Sequence, residues 1–103
     1  MPIIYHIATV ADWDRAHQRG YYEASSLKEE GFIHCSEEWQ VANILERYFH
    51  DQSDLVKLVI DTDKLGSQLI YEWSPSVADT FPHVYGPINL DSVIETQYIA
   101  SSF

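Results

Sequence analysis

Three histidines stand in similar company along this chain: His6 in "IYHIA", His34 in "FIHCS" and His83 in "FPHVYGP". Imidazole changes charge near neutral pH, so these residues are the first candidates for moving a proton or stabilising an oxyanion. Each is flanked by apolar or aromatic residues, and a buried imidazole must be hydrogen-bonded. A short chain meets that need most economically by gathering such rings around one cleft. At least two of His6, His34 and His83 are therefore expected to share a pocket, with Tyr85 at its wall and Glu72 as a further member. His17 and His50 sit on polar helical faces or ends and read as solvated.

Cys35 follows His34 directly. Neighbours on a strand point to opposite faces, so His34 is badly placed to activate that thiol. Cys35 reads as a small buried packing residue, with a cysteine-based thiol enzyme as an alternative. His6, His34, Cys35 and His83 are also zinc-ligand types, but no C-x-x-C or H-E-x-x-H spacing supports a metal. Walker, G-x-G-x-x-G and G-x-S-x-G motifs do not occur. Glu72 lies in "LIYEW" and on a strand faces away from Tyr71 and Trp73, toward either solvent or a pocket. In "FPHVYGP", Pro82, Pro87 and Gly86 restrict the segment that carries His83 and Tyr85.

The elements that must position these groups follow from apolar patterning. "IIYHIA" (3–8) reads as a strand buried on both faces. Thr9 and Asp12 form a capping box for a helix that Gly20 ends, with Val10, Trp13 and Ala16 on one face. A connecting segment with a short helical turn leads to Gly31, and "FIHCS" reads as a short strand. Ser36 is expected to cap the next helix, whose Val41, Ile44, Leu45, Tyr48 and Phe49 form an apolar stripe aimed at the core. Strands are expected at 55–61, 69–73 and 93–100. The proline-, glycine- and serine-rich stretch 74–92 reads as one long loop. Strands outnumber helices, so the class is α+β in a single domain over residues 1–103.

Composition narrows the partners. Sixteen Asp and Glu against six Lys and Arg give a net charge of −10, which repels nucleic-acid backbones and anionic lipid in bulk. A small-molecule ligand is the expected partner, without bulk nucleic-acid or membrane binding. One cysteine, no signal peptide and no long apolar run point to a cytoplasmic protein. The oligomeric state is not legible in the sequence.

"IYHIA", "SLKEEGFIHCS", "DLVKLVID" and "FPHVYGPINLD" together resemble the DUF952 family of small bacterial and plant proteins, over nearly the whole chain. That resemblance implies a likeness to the ADP-ribosylation fold: split antiparallel sheets, two main helices, and a nicotinamide-binding cleft between the sheets. It makes NAD the cofactor to consider, with ADP-ribose or a related phosphorylated nucleotide as the wider ligand class. His6 matches the first-strand histidine with which polymerase-type members of that fold bind NAD. Phe32, His34 and Ser36 stand where those proteins carry a tyrosine or serine. Their ribose-polarising glutamate has no secure match here, and Glu72 and Glu95 are the candidates. The expected catalytic set is thus His34, His83 and Glu72, and the expected ligand-binding set is His6, Ser36, Tyr85 and Gly86. A non-catalytic binding or regulatory module that keeps the cleft is the alternative.

Overall fold

The computed structural model of the chain describes residues 2–99. The chain runs β1 (Ile3–Thr9), α1 (Val10–Arg19), β2 (Tyr21–Tyr22), α2 (Ser25–Glu30), β3 (Ile33–His34), α3 (Val41–Phe49), β4 (Leu55–Asp61), β5 (Gln68–Ser74), β6 (Asp79–Tyr85), β7 (Ile88–Asn89) and β8 (Val93–Ile99). Short 3₁₀ turns lie between some of them. The architecture is α+β with antiparallel sheets and few helices, as the apolar patterning predicts.

β1, β4 and β8 form one antiparallel sheet with β4 in the middle. Its central position explains the unbroken apolar run of β4: Leu55, Val56, Leu58 and Ile60 are all inaccessible. A second sheet has the order β3-β6-β5. The two-residue strands β2 and β7 pair beside it. Thr9 caps α1, its hydroxyl accepting from the Asp12 N–H at 3.1 Å, and Gly20 closes the helix at φ 94°. Trp13 and Ala16 on that helix are buried as expected.

The two sheets touch at one rung. The Tyr5 N–H donates to the Ser36 carbonyl at 2.8 Å, and the Ser36 N–H donates back to Tyr5 at 2.7 Å. Counting on from that rung, Ile7 would come opposite His34, but β1 and β3 part instead. The His6 imidazole makes the bond that the next rung would have made, reaching the His34 carbonyl at 2.6 Å. A side chain therefore bridges the split, and the cleft opens beyond it.

The structure corrects several expectations. The stretch 74–92 is not a loop: it holds β6, the central strand of the second sheet, and β7. Pro82 argues against a central strand, since it cannot donate to a ladder. It is tolerated because β3 ends at His34; the Pro82 carbonyl still accepts from the Cys35 N–H at 3.0 Å. Ser36 is not a helix cap, because its backbone is used in the rung to β1. Glu37 caps the 3₁₀ turn before α3 instead, in a reciprocal box with Gln40. The α3 stripe is only partly core. Val41 is buried and Leu45 and Phe49 pack beside it, but Tyr48 is half exposed. The last strand ends at Ile99, and Ala100 lies outside the described residues.

Candidate functional site

The split between the sheets opens into a cleft of about 620 Å³, within the ~300–1,000 Å³ range of small-molecule sites. β1 supplies one side with His6 and Ile7, and β3 and the segment just after it supply the other with His34 and Ser36. The α3 residues Ile44, Tyr48 and Phe49 form an apolar wall together with Phe81. This is why the stripe is not fully buried: much of it faces the cleft. The β5–β6 turn, with Ser76 and Val77, closes the rim.

All three singled-out histidines line this space, and their surroundings differ. His6 is buried, and both of its ring nitrogens are engaged within the protein. A carbonyl can only accept, so Nδ1 carries the proton and donates to His34 O. Nε2 then accepts from the Tyr22 hydroxyl at 2.7 Å. Burial drives the His6 pKa down to about 4, against a smaller opposing contribution from the His34 carbonyl. His6 is thus a neutral bridge from β1 to β2 and β3. Tyr22 is itself almost inaccessible, and burial raises its pKa.

His34 and His83 face each other across the β3–β6 ladder as register partners, with ring centroids 5.3 Å apart in an edge-on arrangement. Each is tied to a carboxylate through one nitrogen. His83 Nδ1 donates to Glu72 Oε1 at 2.8 Å, and His34 Nε2 donates to Glu30 Oε2 at 2.9 Å. Among the described residues, His83 Nε2 and His34 Nδ1 have no protein partner. In the neutral rings these open atoms are lone pairs, ready to take a proton or accept a hydrogen bond. The carboxylates fix the tautomers. Phe32 stacks on His83 at 4.1 Å and 18°, and meets His34 edge-on at 4.9 Å. That packing fixes the ring planes, so the two open nitrogens have defined directions.

Glu72 and Tyr85 stand behind this pair and not in the cleft lining. The Tyr85 hydroxyl also donates to Glu72 Oε1. The hydrogen bonds from Tyr85 and His83, in that order, hold the Glu72 carboxyl below its usual range, and the same contact raises Tyr85. Tyr85 was expected at the pocket wall, but its reach to Glu72 places it one layer back. Gly86 is also away from the lining. It sits at φ 154°, and a Cβ there would come 2.5 Å from Ser67 Oγ, so its backbone is shaped by close packing. Ser36 does reach the cleft, buried at the rung. Glu95, the other candidate glutamate, lies on β8 and bonds to Gln97.

Cys35 is 2% exposed and belongs to the main core cluster, although it also borders the cleft. Burial pushes its thiol pKa up, away from thiolate chemistry. The zinc set is not assembled either. Among the described residues no three His, Cys, Asp or Glu side chains are grouped as a metal ion needs.

Glu30 is the site residue that sequence reasoning missed. It ends α2, and Gly31 at φ 90° reverses the chain so that Glu30 meets a residue on the next strand. The glycine was legible as a helix end, and the spacing "EGFIH" holds the signal, but only with that turn in mind. Tyr22 was missed as well, because nothing local marks it as the partner of His6.

Comparison with known proteins gives a consistent family. The family model described as "Protein of unknown function (DUF952)" matches residues 7–96. A crystal structure of protein CC0527 from Caulobacter crescentus superposes with a TM-score of 0.84 at 32% identity, covering 93% of this chain and 84% of that one. A solution NMR structure of the same protein gives 0.82 at 32% identity, covering 97% and 86%. No curated protein matches the chain. With the family model spanning most of the sequence and the fold shared with a relative of this identity, the chain belongs to the DUF952 family.

Proposed function

We propose that the cleft is a small-molecule site in which His34 and His83 bind a ligand and handle its protons. The observation that carries this reading is the pair of carboxylate-oriented imidazoles, 5.3 Å apart, each with an open nitrogen in one cleft. A neutral ring accepts a proton from a bound hydroxyl or water, and a protonated ring donates to a leaving group or an oxyanion. Glu30 and Glu72 act through the rings as positioning residues. His6 ties β1 to β2 and β3 where the sheets part.

The ligand class we propose is NAD, ADP-ribose or a related nucleotide. Two antiparallel sheets that part beyond a single rung, with a cleft of nucleotide size in the gap, support a likeness to the ADP-ribosylation fold. A second reading, a binding module without transfer chemistry, is favoured by one observation. Among the described residues, the carboxylates in the lining are Asp12 and Glu30, and Glu30 is bonded to His34.

Thermal shift with NAD, ADP-ribose and unrelated metabolites tests the binding claim, since a ligand of the native state raises Tm by mass action. NAD is expected to raise Tm, and the rise should vanish in His34→Ala and His83→Ala. An equal rise in both variants would sink the assignment. Release of nicotinamide on incubation with NAD would separate the catalytic reading from the binding module.

A further inference from the structure

Two of the chain's three tryptophans lie largely in solvent: Trp39 is 71% exposed and Trp73 62%. Indoles left in water forgo the gain of burial, and they are enriched where proteins meet. These two do not stand alone. Tyr71, half exposed, shares its face of β5 with Trp73, and its hydroxyl donates to Glu37 Oε1 at 3.4 Å. Glu38, between Glu37 and Trp39 in the chain, accepts from the Tyr5 hydroxyl on β1 at 3.2 Å. The 3₁₀ turn before α3 thus links aromatic rings of both sheets into one patch. Glu95 belongs to it as well, since Tyr5, Val59 and Glu95 form one row across the first sheet. Among the described residues none of Glu37, Glu38 and Glu95 forms an ion pair. Lys57 shows how such a surface receives a cation: its Nζ lies 5.2 Å from the Tyr5 ring centroid.

We infer that this patch of Tyr5, Trp39, Tyr71 and Trp73 is a docking surface for a cationic segment of another protein, rich in arginine or lysine. The inference is independent of what the cleft binds, although Trp73 also borders that space. Indole and phenol faces attract a guanidinium or an ammonium group, and the carboxylates beside them add Coulomb attraction to the same cation. Tryptophan and tyrosine are also the residues on which interface energy concentrates. Charge decides against the other occupants. Nucleic acid and anionic lipid meet a chain of net charge −10 and are repelled. A second copy would bring the same carboxylates to the same patch, and like charges set face to face oppose that contact.

The probe is a short peptide of alternating arginine and glycine, with a glutamate–glycine peptide as its counterpart. Each is titrated into the full chain while the tryptophan indole signals are followed by NMR. The cationic peptide is expected to move Trp39 and Trp73 and to leave Trp13, which is buried on α1, in place. The anionic peptide should move none of them. Trp39→Ala keeps the net charge and removes an exposed ring, so bulk attraction and the fold survive it. Affinity for the cationic peptide should still fall at least about tenfold. Glu38→Gln should weaken binding up to about fivefold. Equal affinity in the parent and in Trp39→Ala would reduce the contact to bulk charge and overturn the inference, as would indole signals that stay still. Sedimentation of the free chain should show a monomer. A dimer that Trp39→Ala disperses would assign the face to a second copy and overturn the inference as well.

Discussion

His6 and His83 are embedded in the same kind of sequence and are equally buried, each 7% exposed, yet they sit in opposite chemical situations. At the β1–β2 end of the cleft, His6 has a protein partner on both nitrogens. At the β3–β6 end, His83 has one partner, Glu72, and an open second nitrogen. A histidine with two internal partners is a structural bridge. One with a single carboxylate partner is oriented and still available. Partner number, and not burial or neighbouring residues, separates the structural histidine from the candidate functional one.

Removing the bridge should have the largest effect. His6→Ala leaves a void and strips partners from Tyr22 and the His34 carbonyl, and should cost about 3–5 kcal/mol in chemical denaturation. His83→Ala removes a ring that faces a cleft and should cost well under half as much. Equal costs would erase the distinction between the two ends.

The same contrast has a pH signature. His6 has a folded pKa of about 4, below the ~6.5 of an unfolded histidine. Above ~6.5 both states are neutral at this site and its contribution is intact. As pH falls toward 4 the unfolded chain takes up a proton that the folded chain refuses, so stability drops, by about 3 kcal/mol in total. Denaturation midpoints measured from pH 7 to pH 4 should show this loss, and His6→Gln should flatten it relative to the parent. An unchanged slope in that variant would place the titration elsewhere.

Smaller changes sharpen the comparison. Tyr22→Phe leaves His6 Nε2 without its donor and should cost about 1–2 kcal/mol in the same denaturation assay. Tyr85→Phe removes a partly exposed contact to Glu72 and should leave stability essentially unchanged. Its effect belongs to the site: it should alter ligand affinity through His83 in a titration while the melting curve stays put. A large stability loss in Tyr85→Phe would make the Tyr85–Glu72–His83 chain a structural feature like the His6 bridge.

Much of this arrangement was legible in the sequence, for identifiable reasons. The strands at 3–8 and 55–61 announce themselves because each is covered on both faces, and the Thr9 cap and Gly20 stop bracket α1 by local chemistry. The gathering of His6, His34 and His83 was legible because polar rings in apolar company need shared partners. What stayed hidden depended on pairing across the sheet. β6 reads as a loop because Pro82 within it and Gly86 and Pro87 just after it outweigh its apolar alternation until β3 is known to end opposite Pro82. The α3 stripe reads as core because periodicity reports an apolar face and not whether that face meets protein or a cleft. Ser36 reads as a cap because its use in the single rung to Tyr5 involves a partner 31 positions away. The Glu30–His34 pair needed the left-handed turn at Gly31 to be seen in three dimensions.

The most direct test of the small-molecule site is a crystal structure of the chain soaked with NAD. The expected result is ligand density in the split between β1 and β3, with its heterocycle within hydrogen-bond reach of His34 Nδ1 or His83 Nε2 and the His6–Tyr22 bridge undisturbed. An empty cleft at saturating NAD, or density confined to the outer surface, would contradict the account.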